Sequence, residues 1–302
     1  MNNDIKFGIL GSGFGLYGYL PSVLLNGISR VIISKKSKTK FMSRGELKKF
    51  TPKILWAKDD DDILKNCDVL AIVKPPKQQV KWVKKAIQIN KRIKFLFLEK
   101  PIAQNPHAAL QIFKLLSKWN GNWNVAYLFR LFPWASKFLS ECKKQNNIWI
   151  RWNFMAHHFS QNLYNWKRYH RHGGGPLRFY GIHLIALLAD AGYITAKTSK
   201  LNEASWQATF TGFNLPNVSI KINSRTKTNS FVVSTSGKKV INNILAKSPF
   251  EVKKRKTSLD FRVPFLRKYI NSPDKKIKNY IKTRNTLLLW KNIEKMTTYE
   301  KN

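Results

Sequence analysis

The stretch Ile5-Lys6-Phe7-Gly8-Ile9-Leu10-Gly11-Ser12-Gly13-Phe14-Gly15-Leu16-Tyr17-Gly18 decides the fold class. It opens as an apolar run of strand length. Glycines at 11, 13, 15 and 18 follow at once, ahead of a helical pattern that runs to about Asn26. Glycine suits such a junction because the backbone must turn tightly and bring the amides and positive end of the next helix close to a phosphate. Strand, glycine turn and helix in that order point to a dinucleotide. Two registers fit. In the first, Gly11 and Gly13 take the leading positions of the G-x-G-x-x-G pattern and Leu16 the last. In the second, Gly13, Gly15 and Gly18 match the spacing literally but begin late. The first is preferred because the tight turn belongs at the strand's end, at the expense of a looser helix contact.

Outward from this start the chain keeps a strand-helix rhythm. Val31-Ile32-Ile33, Ile54-Leu55-Trp56 and Val69-Leu70-Ala71-Ile72-Val73 are apolar enough to be strands buried on both faces. Between the last of these and Phe95, residues Gln78 to Asn90 carry Val80, Val83, Ala86 and Ile87 at helical spacing, a core stripe. Where an NAD enzyme offers an acid to the ribose hydroxyls, after the second strand, this chain has Ser34-Lys35-Lys36. A hydroxyl and ammonium groups suit a 2′-phosphate, so NADP is favoured over NAD. Phe95-Leu96-Phe97-Leu98 then delivers Glu99-Lys100-Pro101. A buried strand with a lysine at its carboxyl end places an ammonium where open α/β sheets bind ligands, and the proline stops the strand there.

The second half reads differently. Trp149 to Ala156, Ser205 to Phe213, Val218 to Asn223 and Phe231 to Ser236 have strand patterning separated by turn residues, and Leu259 to Ile270 and Tyr280 to Ile293 read as helices. His157 and His158 also read as lying on a strand, so they point to opposite faces. No histidine pair has a carboxylate or cysteine at ligand spacing, and no metal site is expected. The acidic block Asp59-Asp60-Asp61-Asp62 precedes a helical segment, where carboxylates favour the dipole.

The 302 residues carry 55 Lys and Arg against 16 Asp and Glu, a formal charge of +39. Such an excess raises nucleic acid or an anionic membrane as partners. The lysines are nevertheless spread from Lys6 to Lys301, with local clusters at Lys35-Lys36, Lys84-Lys85 and Lys253-Lys254-Arg255-Lys256, and no nucleic-acid motif accompanies them. The charge therefore reads as compositional bias, with no specific nucleic acid expected, although a positive field would draw phosphorylated or nucleotide-linked substrates. Two cysteines, Cys67 and Cys142, and a start lacking a basic segment with an apolar core fit a cytoplasmic chain with free thiols. No apolar run reaches membrane-spanning length.

The chain resembles the Gfo/Idh/MocA oxidoreductases, the group of glucose-fructose oxidoreductase and inositol dehydrogenase. The pieces occur in family order: the glycine loop closing with Leu20-Pro21, the turn Lys74-Pro75-Pro76-Lys77-Gln78-Gln79, Glu99-Lys100-Pro101, Arg130-Leu131-Phe132-Pro133, Trp166-Lys167, and Gly173-Gly174-Gly175-Pro176-Leu177 leading to Gly181-Ile182-His183. The resemblance implies an α/β fold: an N-terminal Rossmann domain over residues 1–130 and a C-terminal α+β domain over 131–302. The open, mainly antiparallel sheet of the second domain would form a homo-oligomer. It also implies hydride transfer between a nicotinamide cofactor and a hydroxyl or keto group of a sugar-like substrate. Lys100 would bond the reacting oxygen and His183 exchange its proton, a division that suits an ammonium and an imidazole. Gly11, Gly13, Phe14, Gly15, Ser34, Lys35, Pro75, Gln79, Glu99, Trp166 and Lys167 would contact the cofactor. Two departures stand out. Family members commonly carry acids four residues before and three after this histidine, and here those positions are Phe179 and Ala186. Their loss leaves two readings open: a subgroup with altered substrate handling, or a dinucleotide-binding relative without turnover that acts as a scaffold or sensor.

Overall fold

The computed structural model describes residues 5–89, 92–144, 147–236, 241–245 and 259–300, so the basic cluster at 253–256 and the first four residues lie outside it. The chain divides into two compact units. The first comprises residues 1–102, 111–128 and 252–279, and the second 103–110, 129–251 and 280–302. The chain passes from the first unit to the second between residues 128 and 129. The division is not sequential, however, because residues 252–279 belong with the first unit.

The first unit is built on a six-stranded parallel sheet. Its strands are β1 (Phe7–Leu10), β2 (Val31–Ser34), β3 (Ile54–Ala57), β4 (Val69–Ile72), β5 (Phe95–Leu98) and β6 (Asn122–Val125), in the order β3-β2-β1-β4-β5-β6. All neighbours pair in parallel. β1, β2 and β4 are buried throughout, which is why they read as unbroken apolar runs. The order reverses direction between β1 and β4, and the ends of these strands face the crevice where doubly wound sheets bind ligands. The N–H of Val73 donates to the Leu10 carbonyl at 2.8 Å, tying the two strand ends together there. The helix Val263–Asn271 packs in this unit: Ser22 Oγ donates to the Val263 carbonyl at 3.3 Å, and Tyr269 meets Phe97 edge-on at 5.3 Å.

The second unit holds a seven-stranded sheet. Its strands are β7 (Asn147–Met155), β8 (Thr198–Leu201), β9 (Ser205–Gly212), β10 (Leu215–Asn223), β11 (Arg225–Ser236), β12 (Ile241–Leu245) and β13 (Thr297–Tyr299), in the order β12-β11-β7-β10-β9-β8-β13. Only the β7/β10 and β8/β13 pairs are parallel, so the sheet is mainly antiparallel as expected. Strict alternation in β9 and β10 buries Trp206, Ala208, Phe210, Val218, Ile220 and Ile222 on one face. The strand β7 stops at Met155, and His157 and His158 fall on a short helix, His157–Ser160, contrary to the sequence pattern. Backbone bonding explains the break: after the Ala156 N–H reaches the Ser224 carbonyl, the next donors turn back onto Ala156 and His157.

Candidate active site

The glycine turn of the first unit follows β1 directly. Gly11 has φ +129°, and a Cβ there would lie 2.3 Å from the Val73 carbonyl oxygen, so only glycine fits. A Cβ at Gly13 would meet nothing within 4 Å, and one at Gly15 would stand 3.0 Å from Ile9 Cγ2 of β1. The tight turn therefore sits at Gly11, as the preferred register has it, but the close helix-strand contact assigned to the third position belongs to Gly15. Leu16 is instead a buried core residue. Phe14 lies against Gly18, meets Tyr19 edge-on at 5.7 Å and carries the Arg262 guanidinium 4.0 Å above its ring. Arg262 is held by both oxygens of Asp260. Burial opposes its charge, yet the paired carboxylate raises its pKa above the usual arginine value. Sequence patterning did not single out this arginine, which stands nearly 250 residues from the turn it packs on.

At the end of β2 the Ser34 hydroxyl accepts from the Lys36 N–H at 3.3 Å and caps the turn Lys35–Ser37, leaving Lys35 and Lys36 exposed. Asp59 caps the helix Asp60–Asn66 through the Asp62 N–H at 2.9 Å, a bond that lowers its pKa. The acidic block is thus a helix start, and among the described residues no cluster of His, Cys, Asp and Glu could hold a metal.

Lys100 follows β5 by two residues. The Glu99 N–H donates to the Ile72 carbonyl at 3.2 Å, which carries the ladder up to the lysine. The Glu99 side chain accepts from Tyr19 Oη at 3.0 Å. Burial raises the Glu99 carboxyl to about 7, with the Lys100 ammonium, the Tyr19 bond and Arg262 opposing the rise. Gln79, in the first turn of the helix Pro76–Ile89, donates from Nε2 to the carbonyls of Glu99 and Pro101, each at 2.8 Å. Pro75, just before that helix, accepts the N–H of Gln78 at 2.8 Å and of Gln79 at 3.0 Å.

In the second unit the triple glycine solves three separate problems. Gly173 and Gly175 have φ of +86° and +76°, and a Cβ at Gly174 would sit 2.1 Å from the Trp166 carbonyl oxygen. The Gly175 N–H donates to Lys167 O at 2.8 Å, so the Trp166-Lys167 backbone lies against the glycine run. Phe179 meets the Trp166 ring edge-on at 5.2 Å and lies 5.7 Å beneath the Lys167 ammonium. The aromatic face of Phe179 therefore keeps Trp166 and Lys167 together. His183, buried near the start of the helix Ile182–Ala191, stacks on Phe129 with ring centres 4.5 Å apart and planes 10° apart.

Other basic residues of the second unit are tied to partners within it. Arg168 pairs with Glu203 at 2.5 Å and lies over the rings of Tyr164 and Phe159. Arg178 is buried, bidentate to Glu294, and donates to the carbonyls of Gln104 and His170 at 2.8 Å. Burial pushes His170 down to about 3 and His158 to about 4, which leaves both neutral. Arg130 is bidentate to Asp190, four residues after Ala186, and reaches Thr286 Oγ1 at 3.0 Å. No helix of the described residues is long and apolar enough to cross a membrane.

Comparison of sequences finds no matching family model and no significantly matching curated protein. Comparison of structures finds dehydrogenases. The chain is similar to the WlbA dehydrogenase from Bordetella pertussis in complex with NADH and UDP-GlcNAcA, with 12% identity, a TM-score of 0.72 and coverage of 98% of this chain and 96% of that one. It is similar to an oxidoreductase from Thermotoga maritima, with 17% identity, a TM-score of 0.67 and coverage of 94% and 93%. It is also similar to scyllo-inositol dehydrogenase from Lactobacillus casei, with 15% identity, a TM-score of 0.64 and coverage of 98% of each. The chain has the fold of these enzymes along nearly its whole length.

Proposed function

We propose that the chain is an NAD(P)-dependent oxidoreductase of the Gfo/Idh/MocA type. It moves a hydride between the nicotinamide and a hydroxyl or keto group of a sugar or sugar derivative, phosphorylated or nucleotide-linked forms included. The observation that carries this reading is the Gly11 turn, placed on a sheet whose β5 delivers Lys100. The turn is tight against Val73 and open beside Gly13, a cradle suited to a pyrophosphate. Structural neighbours solved with NADH and a nucleotide-linked sugar, and one named for inositol, support the cofactor and substrate classes.

In this reading the backbone amides of Gly13, Phe14 and Gly15 hold the phosphates, while Ser34 and Lys35 meet the ribose end. The side chain of Phe14 stays in packing. Pro75, Glu99, Trp166 and Lys167 remain candidates for shaping the cofactor site. The nicotinamide, when bound, supplies the hydride acceptor or donor. Lys100 polarises the substrate oxygen and stabilises negative charge as it develops there. His183 takes the hydroxyl proton during oxidation and returns it during reduction. Stacking on Phe129 sets the plane of its imidazole for that exchange. Self-association through the outward face of the seven-stranded sheet, where Trp149 and Met155 of β7 are exposed, belongs to the same reading, as does a cytoplasmic setting.

Equilibrium binding of NADPH and NADH by calorimetry tests it. The expected result is binding of both, with NADPH at least about tenfold tighter and the preference abolished in Lys35→Asp. Binding of neither dinucleotide overturns the oxidoreductase reading, and equal binding overturns the NADP preference. Sedimentation velocity on the same sample reads the oligomer, and a monomer at all concentrations removes that part.

A further inference from the structure

Gln79, which the family resemblance assigns to the cofactor, makes its described side-chain bonds elsewhere. We propose that Gln79 is a positioning residue for Lys100, acting through the two carbonyl groups that flank the lysine; the proposal rests on the oxidoreductase reading.

The side chain is 1% exposed, and its Nε2 donates to Glu99 O and Pro101 O at 2.8 Å each. One amide nitrogen carries two hydrogens, so both bonds form at once. The need for them follows from the sequence. Up to Glu99 the chain is tied to the sheet by the bond from its N–H to Ile72 O. Pro101 has no N–H, so the ladder cannot continue past the lysine through residue 101. The carbonyls of 99 and 101 stand on either side of Lys100, and Gln79 binds both. Tyr19 holds the Glu99 side chain at 3.0 Å, which fixes the preceding residue by its other end.

The consequence for chemistry is directional. A lysine ammonium stands at the end of a flexible four-carbon stem, so its placement depends on how firmly the root is held. Small errors of placement cost turnover far more than they cost binding. Few residue types can replace the clamp. Asparagine is one methylene shorter, a histidine nitrogen carries a single hydrogen, and glutamate brings a carboxylate against two carbonyl oxygens. Leucine leaves both carbonyls without this donor in a buried place.

The test is a double-mutant cycle on the full chain with Gln79→Leu, Gln79→His and Lys100→Met. Gln79→Leu is expected to lower turnover at least tenfold, and Gln79→His, which keeps one donor, by an intermediate factor. The Kd for NADPH stays within about threefold in both, and Gln79→Leu in the Lys100→Met background changes the residual rate by less than about twofold. Equal losses with and without Lys100, or a loss confined to NADPH affinity, overturn the proposal. An activity-independent arm uses reductively 13C-methylated protein, with the Lys100 signal identified by its absence in Lys100→Met. That signal should shift or broaden in both Gln79 variants, and an unchanged signal overturns the clamp even where Gln79→Leu folds poorly, since Gln79→His is read alongside it. If the wild-type protein binds no dinucleotide while the signal moves, the oxidoreductase reading fails and the clamp stands.

Discussion

The turn around Lys100 and the helix start around His183 carry the two proposed catalytic groups in different materials. Lys100 is flanked by carbonyls that accept from the Gln79 amide, and its neighbour Glu99 accepts from the Tyr19 hydroxyl. His183 lies flat on Phe129, and one turn earlier Phe179 meets Trp166, Tyr180 and the Lys167 ammonium. A polar clamp defines geometry through short directional bonds. An aromatic stack defines a plane and leaves sliding within it, because the contact is broad. The contrast teaches that the backbone beside the flexible lysine stem is fixed by directional hydrogen bonds, whereas the rigid imidazole lies against a broad aromatic surface.

The largest expected effect breaks the comparison at its two ends. Lys100→Ala and His183→Ala should each lower turnover by more than about a hundredfold while leaving NADPH affinity within about tenfold, measured by steady-state kinetics and calorimetry. Unchanged turnover in either removes that residue from the mechanism.

A smaller effect is expected where Phe179 holds the aromatic side together. Phe179→Asp puts an acid in place of the ring beneath Lys167 and removes packing from Trp166 and Tyr180. Chemical denaturation should show a loss of about 2 kcal/mol, since buried aromatic area goes and the new charge gains one ammonium partner. A gain in stability would show that the aromatic face does not hold this region.

The smallest sharpens the polar side. Glu99, raised to about 7 in the folded protein against an ordinary 4.5, holds its proton more firmly folded than unfolded. Its contribution is therefore intact below about pH 4.5 and is lost as pH rises toward about 7. Glu99→Gln should flatten that stretch of the melting-temperature profile by a few degrees, and a profile with the wild-type slope would remove Glu99 as its source.

Much of the fold and part of the site were legible from residue order. The turn at Gly11 could be placed because a strand end, a tight backbone and a following helix leave one local solution. Lys100 could be placed because its strand and proline are its immediate neighbours. Gln79 was named, but its bonds could not be read, since they run to carbonyls 20 and 22 residues away that look like any others in sequence. The Arg178–Glu294 and Arg130–Asp190 pairs, separated by 116 and 60 residues, carry no periodic signal. His157 and His158 leave the strand although strand propensity runs on through them, because the donors of the segment turn back locally.

Local chemistry by itself determined where the chain must turn, which runs are buried and which side chains can carry charge to a strand end, because those properties depend on residues within one turn or strand. Only the tertiary structure decided that residues 252–279 belong with the first unit, that Gly15 and not Leu16 makes the close helix-strand contact, and that Phe179 gathers Trp166 and Lys167. Those outcomes depend on which distant surfaces fit together, and complementary packing leaves no mark in the spacing of a sequence.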